Sequence, residues 1–180
     1  MKPNFLLIMS DSHGPMFSGT YGHPIVKTPI MDRLAEEGTT FDAAYCNAPL
    51  CVPSRASFMT GKDSHTLGIY DNNSPLPVDT ITWPYLLRDQ GYNVALSGKM
   101  HLIGPDPLHG FEEQLSEDVH LMHHKMAVQM WEKGLATKMP ARLTSDTILS
   151  EAGSGTNREL EGDDATEEAA VQFLENPSRH

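Results

Sequence analysis

The chain has 180 residues, 39% of them hydrophobic and 21% charged, which suits a folded core rather than a disordered segment. Twenty-four Asp and Glu against 13 Lys and Arg give a formal charge of −11. Such a surface repels phosphate backbones and anionic membranes, so neither nucleic acid nor a membrane is expected as a partner. An anion could still bind, but only through a local cluster of cations and amide donors.

The first element is "PNFLLIMS", residues 3–10, an unbroken apolar run that predicts a strand buried on both faces. Its run Phe5 to Met9 is too short to span a bilayer and has no signal-peptide cleavage pattern, so the expected location is the cytoplasm. In that reducing compartment the only two cysteines, Cys46 and Cys51, are not expected to pair. "SDSHGPMFSGTYGHP" breaks all periodicity and predicts a loop leaving the strand's carboxyl end. "TPIMDRLAEEG" then predicts a helix, with Thr28 as N-cap, Pro29 at the first helical position and Gly38 as the stop.

"TTFDAAYC" reads as a second strand, and Cys51 to about Thr60 as a helix ended by Gly61. "DTITWPYLLRDQG" predicts another helix, disturbed by Pro84, and "YNVALSG" a further strand. This alternation predicts an α/β fold, a mostly parallel sheet flanked by helices. Beyond Phe111 the patterning weakens. "HLMHHKMAVQMWEKGLATKM" reads as helical, residues 150–163 as a flexible loop, and "DATEEAAVQFLEN" as a helix capped by Asp164. No repeats or linkers interrupt the chain.

Ligands of parallel sheets gather at the carboxyl ends of the strands. Asp11 follows the first predicted strand, and Lys99 and His101 follow "YNVALSG", so all three are expected on one rim. A carboxylate there suits a hard cation, or simply caps the loop. Lys99 offers a point charge to an anion, and His101 a proton donor or acceptor near neutral pH. "CVPSR" places Cys51 at a helix start, where unpaired amides favour anions, with Arg55 one turn on. The residues alone leave Cys51 open as a nucleophile, a metal ligand or a small buried hydrophobe. "SGK" lacks the upstream glycine and following Ser or Thr of a phosphate-binding loop. His120 and His124, four apart, are a metal pair or a solvated helix face.

Asp11, "CVPSR" followed by "ASFMTG", and "SGKMH" together resemble the sulfatase family, of alkaline-phosphatase-like fold. The resemblance runs from about residue 1 to 113, leaving 114–180 unmatched, and "YDNN" with "SGKMHLIGPDPLHGFEEQL" looks most like the choline-sulfatase branch. It implies that Cys51 is oxidised to formylglycine by a formylglycine-generating or other sulfatase-maturing enzyme. The hydrated aldehyde would attack sulfur, and its second hydroxyl would then let sulfate leave. By the same resemblance the catalytic set is Cys51, Arg55, Lys99 and His101. Asn72 and Lys99 would bind substrate. Asp11 and Cys51 would hold a divalent cation, Ca2+ in most of the family, with Mg2+ or Mn2+ as alternatives.

The implied substrate is a small sulfated organic molecule, with a phosphonate or phosphate monoester as the alternative. A non-catalytic anion-binding fragment is a third reading, and a homo-oligomer stays open. Ser12 stands where many relatives carry a second acid. Family members are also much longer, and their remaining metal ligands come from later in the chain. The expectation is therefore an amino-terminal portion of a sulfatase catalytic domain, an incomplete fold inactive alone.

Overall fold

In a computed structural model describing residues 2–118 and 153–179, the chain divides into two compact units, Met1–Tyr45 and Cys46–His180. The first unit holds one α-helix, α1 (Pro29–Glu37), with Thr28 before it, Pro29 in its first turn and Gly38 after it, as its end signals predict. The Thr28 hydroxyl accepts from the Gly19 amide at 2.8 Å and donates to Asp32 Oδ1 at 3.0 Å. Thr20 donates to the same carboxylate oxygen at 2.7 Å, so the loop is tied to the helix start.

Residues 3–10 do not form the expected strand, and neither do those of "TTFDAAYC". Phe5 to Met9 are exposed, Ile8 by 80%, and Tyr45 by 92%. The reason is the missing neighbour. A strand is held by a hydrogen-bond ladder, and among the described residues the one sheet does not include either segment.

The second unit contains α2 (Cys51–Thr60), α3 (Ser64–Leu67), α4 (Trp83–Asp89), β1 (Ala95–Leu96), β2 (Glu113–Gln114) and α5 (Arg158–Leu174). Gly61 ends α2 in the left-handed conformation, its amide donating to the Ser57 carbonyl. Pro84 stands in the first turn of α4, where a missing amide costs nothing, so it starts that helix rather than disturbing it. The four residues before Trp83, expected to be helical, are not.

Helix α5 begins earlier than predicted. Asn157, not Asp164, is its N-cap, accepting from the Leu160 amide at 2.9 Å. Residues 158–163, read as loop, are therefore helical, with Glu159 and Glu161 in the first turn. The proposed helix around His120 and His124 lies outside the described residues.

β1 and β2 pair in parallel, Ala95 with Glu113 and Leu96 with Gln114. The Glu112 amide donates to Val94 O at 2.8 Å and the Leu115 amide to Leu96 O at 2.7 Å. "YNVALSG" thus contracts to two strand residues, because its partner is equally short. Against this pair packs a core of Val52, Ala56, Met59, Ile69, Leu76, Val94, Leu96, Met100, Leu102 and Phe111. Trp83 meets Phe58 and Phe111 edge-on, closing α4 over α2.

Candidate active site

Parallel pairing puts the carboxyl ends of β1 and β2 on one rim, and the start of α2 meets that rim. Cys51 is the first residue of α2 and is half-buried. Pro53 at the third position has no amide to leave unsatisfied. The Val52 amide donates to Asn72 Oδ1 at 3.0 Å, so a residue twenty positions later caps the helix. Asn72 lies in a turn where Asp71 accepts from the Asn73 amide at 2.9 Å and the Ser74 hydroxyl at 2.8 Å. The Asn73 amide, then the Ser74 hydroxyl, hold the Asp71 carboxyl below its ordinary pKa.

Beyond β1 the chain turns at Gly98, φ +82°, where a Cβ would lie 2.7 Å from Thr166 Cγ2 of α5. The Gly98 amide donates to Ser116 Oγ at 2.8 Å, and Ser97 Oγ donates to the Thr166 carbonyl at 2.8 Å. This seats the loop that carries Lys99, whose Nζ donates to Cys51 Sγ at 3.4 Å. Arg55, buried one turn along α2, donates from Nη1 to the Lys99 carbonyl at 2.6 Å. Met100 and His101 donate their amides to a single oxygen, Asp118 Oδ2, at 3.0 and 2.6 Å.

The structure thus brings Cys51, Arg55, Asn72, Lys99 and His101 into one unit. Asp11 is exposed and belongs to the other unit. Cys46 and Cys51 are both free thiols; Cys46 Sγ lies 3.0 Å from Ala48 O and 3.2 Å from Ser54 Oγ.

Two features have no counterpart in the sequence reading. Asp118 is buried beyond the end of β2, and only recognition of "FEEQL" as a second parallel strand would have pointed to it. His109 is fully buried, and Thr82 Oγ1 donates to its carbonyl at 2.5 Å. Burial pulls the His109 imidazole below its ordinary pKa, against the opposing pulls of Asp106 and the Leu76 backbone. Burial also works to raise the Asp106 carboxyl. The His109 amide, the Tyr85 hydroxyl, the Leu108 amide and the nearby imidazole outweigh it and leave that pKa lowered.

A cysteine facing a lysine across a helix start, in a C-x-P-S-R setting, is met by a match of residues 3–131 to the Sulfatase family model. The chain belongs to the sulfatase family. The match runs beyond residue 113, where the sequence resemblance stopped. A choline-sulfatase of Rhizobium meliloti (strain 1021) is 42% identical over 120 residues, covering 66% of this chain and 23% of that protein. An N-acetylglucosamine-6-O-sulfatase of Bacteroides thetaiotaomicron is 44% identical over 102 residues, 57% of this chain and 18% of the relative.

A solved complex with its substrate D-glucosamine-2-N,6-O-disulfate superposes with a TM-score of 0.60 at 41% identity, over 63% of this chain and 23% of that one. A further solved chain, from Bacteroides thetaiotaomicron, gives 0.63 at 26% identity over 90% of this chain and 30% of its own length. This chain therefore carries an incomplete α/β, alkaline-phosphatase-like sulfatase fold, and spans about a quarter or less of the curated relatives named here.

The family generally uses a divalent cation. Among the described residues no group of three or more His, Cys, Asp or Glu side chains comes together to hold one.

Proposed function

We propose that this sulfatase chain contributes the nucleophile end of a site that hydrolyses a small sulfated organic substrate. The observation that carries the reading is the approach of Lys99 Nζ to Cys51 Sγ, 3.4 Å, at the opening turn of α2. The position fits a formylglycine made from Cys51 by a maturation enzyme, being half-buried and open at a helix start. Once formed, that group supplies a hydrated aldehyde oxygen for attack on sulfur and a carbonyl whose return releases sulfate.

The chain's own residues do the rest. Lys99 offers its ammonium to a sulfate oxygen at the place where it now meets Cys51. Arg55 fixes the Lys99 backbone, and Asn72 closes the Val52 amide so that the helix start stays wound. His101, next but one along the rim, is the proton-transfer group assigned by the family resemblance. The two free thiols suit a reducing, cytoplasmic location. The isolated 180-residue chain is proposed to be inactive, because it spans only about a quarter or less of the relatives it matches.

The test is mass spectrometry of the Cys51 peptide after co-expression with a sulfatase-maturing enzyme. An aldehyde is expected, and an unmodified thiol under conditions that convert a known sulfatase would overturn the assignment. Sulfate release from an aryl sulfate by the complete enzyme, lost in Cys51→Ala, is the matching kinetic result. A strong preference for an aryl phosphonate would reassign the substrate class.

A further inference from the structure

The peptide unit joining Lys99 and Met100 is gripped at both edges. Its carbonyl accepts from Arg55 Nη1 at 2.6 Å, and its N–H donates to Asp118 Oδ2 at 3.0 Å. In a trans peptide the C=O and N–H point opposite ways, so two partners on opposite sides fix the plane. The next amide, that of His101, donates to the same Asp118 oxygen at 2.6 Å. His101 itself sits at φ +53°, a left-handed conformation that a residue with a Cβ rarely adopts unless its surroundings impose it.

We propose that Asp118 is a positioning residue: it holds residues 99–101 so that Lys99 faces Cys51 and His101 stays on the same rim. The inference rests on the sulfatase reading for its functional meaning, and its geometry on this chain's own contacts. Arg55 reaches the peptide from α2, and Asp118 reaches it from beyond β2, so the clamp couples the nucleophile helix to the sheet. The buried carboxylate (7% exposed) accepts both backbone amides through one oxygen. Asp118 acts through its neighbours and is not assigned any contact with substrate.

The test compares Asp118→Asn and Asp118→Ala in the full 180-residue chain, made without a maturation enzyme so that Cys51 stays a thiol. Asparagine keeps an oxygen that can accept both amides; alanine keeps neither bond. Two quantities are read: residue-resolved amide hydrogen exchange at Met100 and His101, and the yield of a short amine-to-thiol cross-link between Lys99 and Cys51. The Val52 amide, bonded to Asn72, serves as the reference for intact local folding.

Asp118→Ala is expected to speed exchange at Met100 and His101 by about fivefold or more and to lower the cross-link yield, with Val52 unchanged. Asp118→Asn is expected to restore both. The proposal is overturned if alanine changes neither quantity, if asparagine behaves as alanine does, or if Val52 loses protection in step. Because neither readout needs an oxidised Cys51 or turnover, the sulfatase reading can fail without moving this result, and the reverse holds too.

Discussion

Asn72 Oδ1 accepts the Val52 amide at 3.0 Å, and this one contact joins the "YDNN" turn to the first turn of the helix that begins at Cys51. Helix starts leave amides unpaired, and a side chain from elsewhere in the chain can satisfy one as well as a local cap.

Asn72→Ala should therefore lower stability by roughly 0.5–2 kcal/mol, the usual worth of a cap. Asn72→Asp, which keeps the accepting oxygen, should lose much less. Denaturant unfolding of the three proteins checks this. A variant with unchanged stability but weakened sulfate-ester binding in the complete enzyme would instead assign Asn72 to the substrate.

Gly98 is left-handed and packed against α5, so Gly98→Ala meets both backbone strain and the Thr166 methyl group. The expected loss is about 1–3 kcal/mol, as for an overpacked core position. Thr166→Ser removes the Cγ2 that the new Cβ would strike while keeping the hydroxyl. In a double-mutant cycle it should recover part of that loss and leave the strain. Strictly additive effects would mean that the contact does not carry the cost.

Arg55→Ala leaves the Lys99 carbonyl without this donor in a buried place, which should cost on the order of 1–3 kcal/mol. Arg55→Lys should recover only part of it, since one flexible ammonium replaces a planar fork. Thermal unfolding and the Lys99–Cys51 cross-link should fall together in both variants.

His109 sets an acid limit on stability. Its folded pKa lies below the ordinary histidine value of about 6.5, so the unfolded chain binds the proton more readily. Stability should then be flat above about 6.5, decline as pH falls below it, and stop declining once the folded imidazole titrates. Asp106 acts in a separate, more acidic window. Its folded pKa is below 3.8, so its stabilisation is present above that value and is lost as pH falls through the folded pKa. Unfolding free energy of His109→Gln measured from pH 8 to pH 4 should lose the upper decline only. A decline identical to the parent chain would remove His109 as its cause.

Helix ends were legible because their chemistry is local. Pro29 and Gly38 bound α1, and Gly61 stops α2, since φ restriction and left-handed freedom act within one turn whatever surrounds them. The start of α5 was misplaced by several residues because Asn157 and Asp164 are both competent caps, and only the observed Asn157–Leu160 bond chooses between them. Strands were the weaker reading for the opposite reason. An apolar run such as residues 3–10 has the composition of a buried strand, but pairing is a property of two segments, and no partner lies among those described.

The sequence by itself determined the family, the helix that begins at Cys51, and the residue types at its mouth, because the C-x-P-S-R stretch and its glycine stop are contiguous. Only the tertiary structure decided which side chains meet there. It set Lys99 against Cys51 across 48 positions, supplied the Val52 cap from Asn72, and brought Asp118 beneath the Lys99–Met100 peptide. The physical reason is that these contacts depend on the parallel register of β1 with β2 and on the packing of α2 and α5 around them. Such register is fixed by burial and hydrogen-bond pairing between distant segments, not by any run of neighbouring residues.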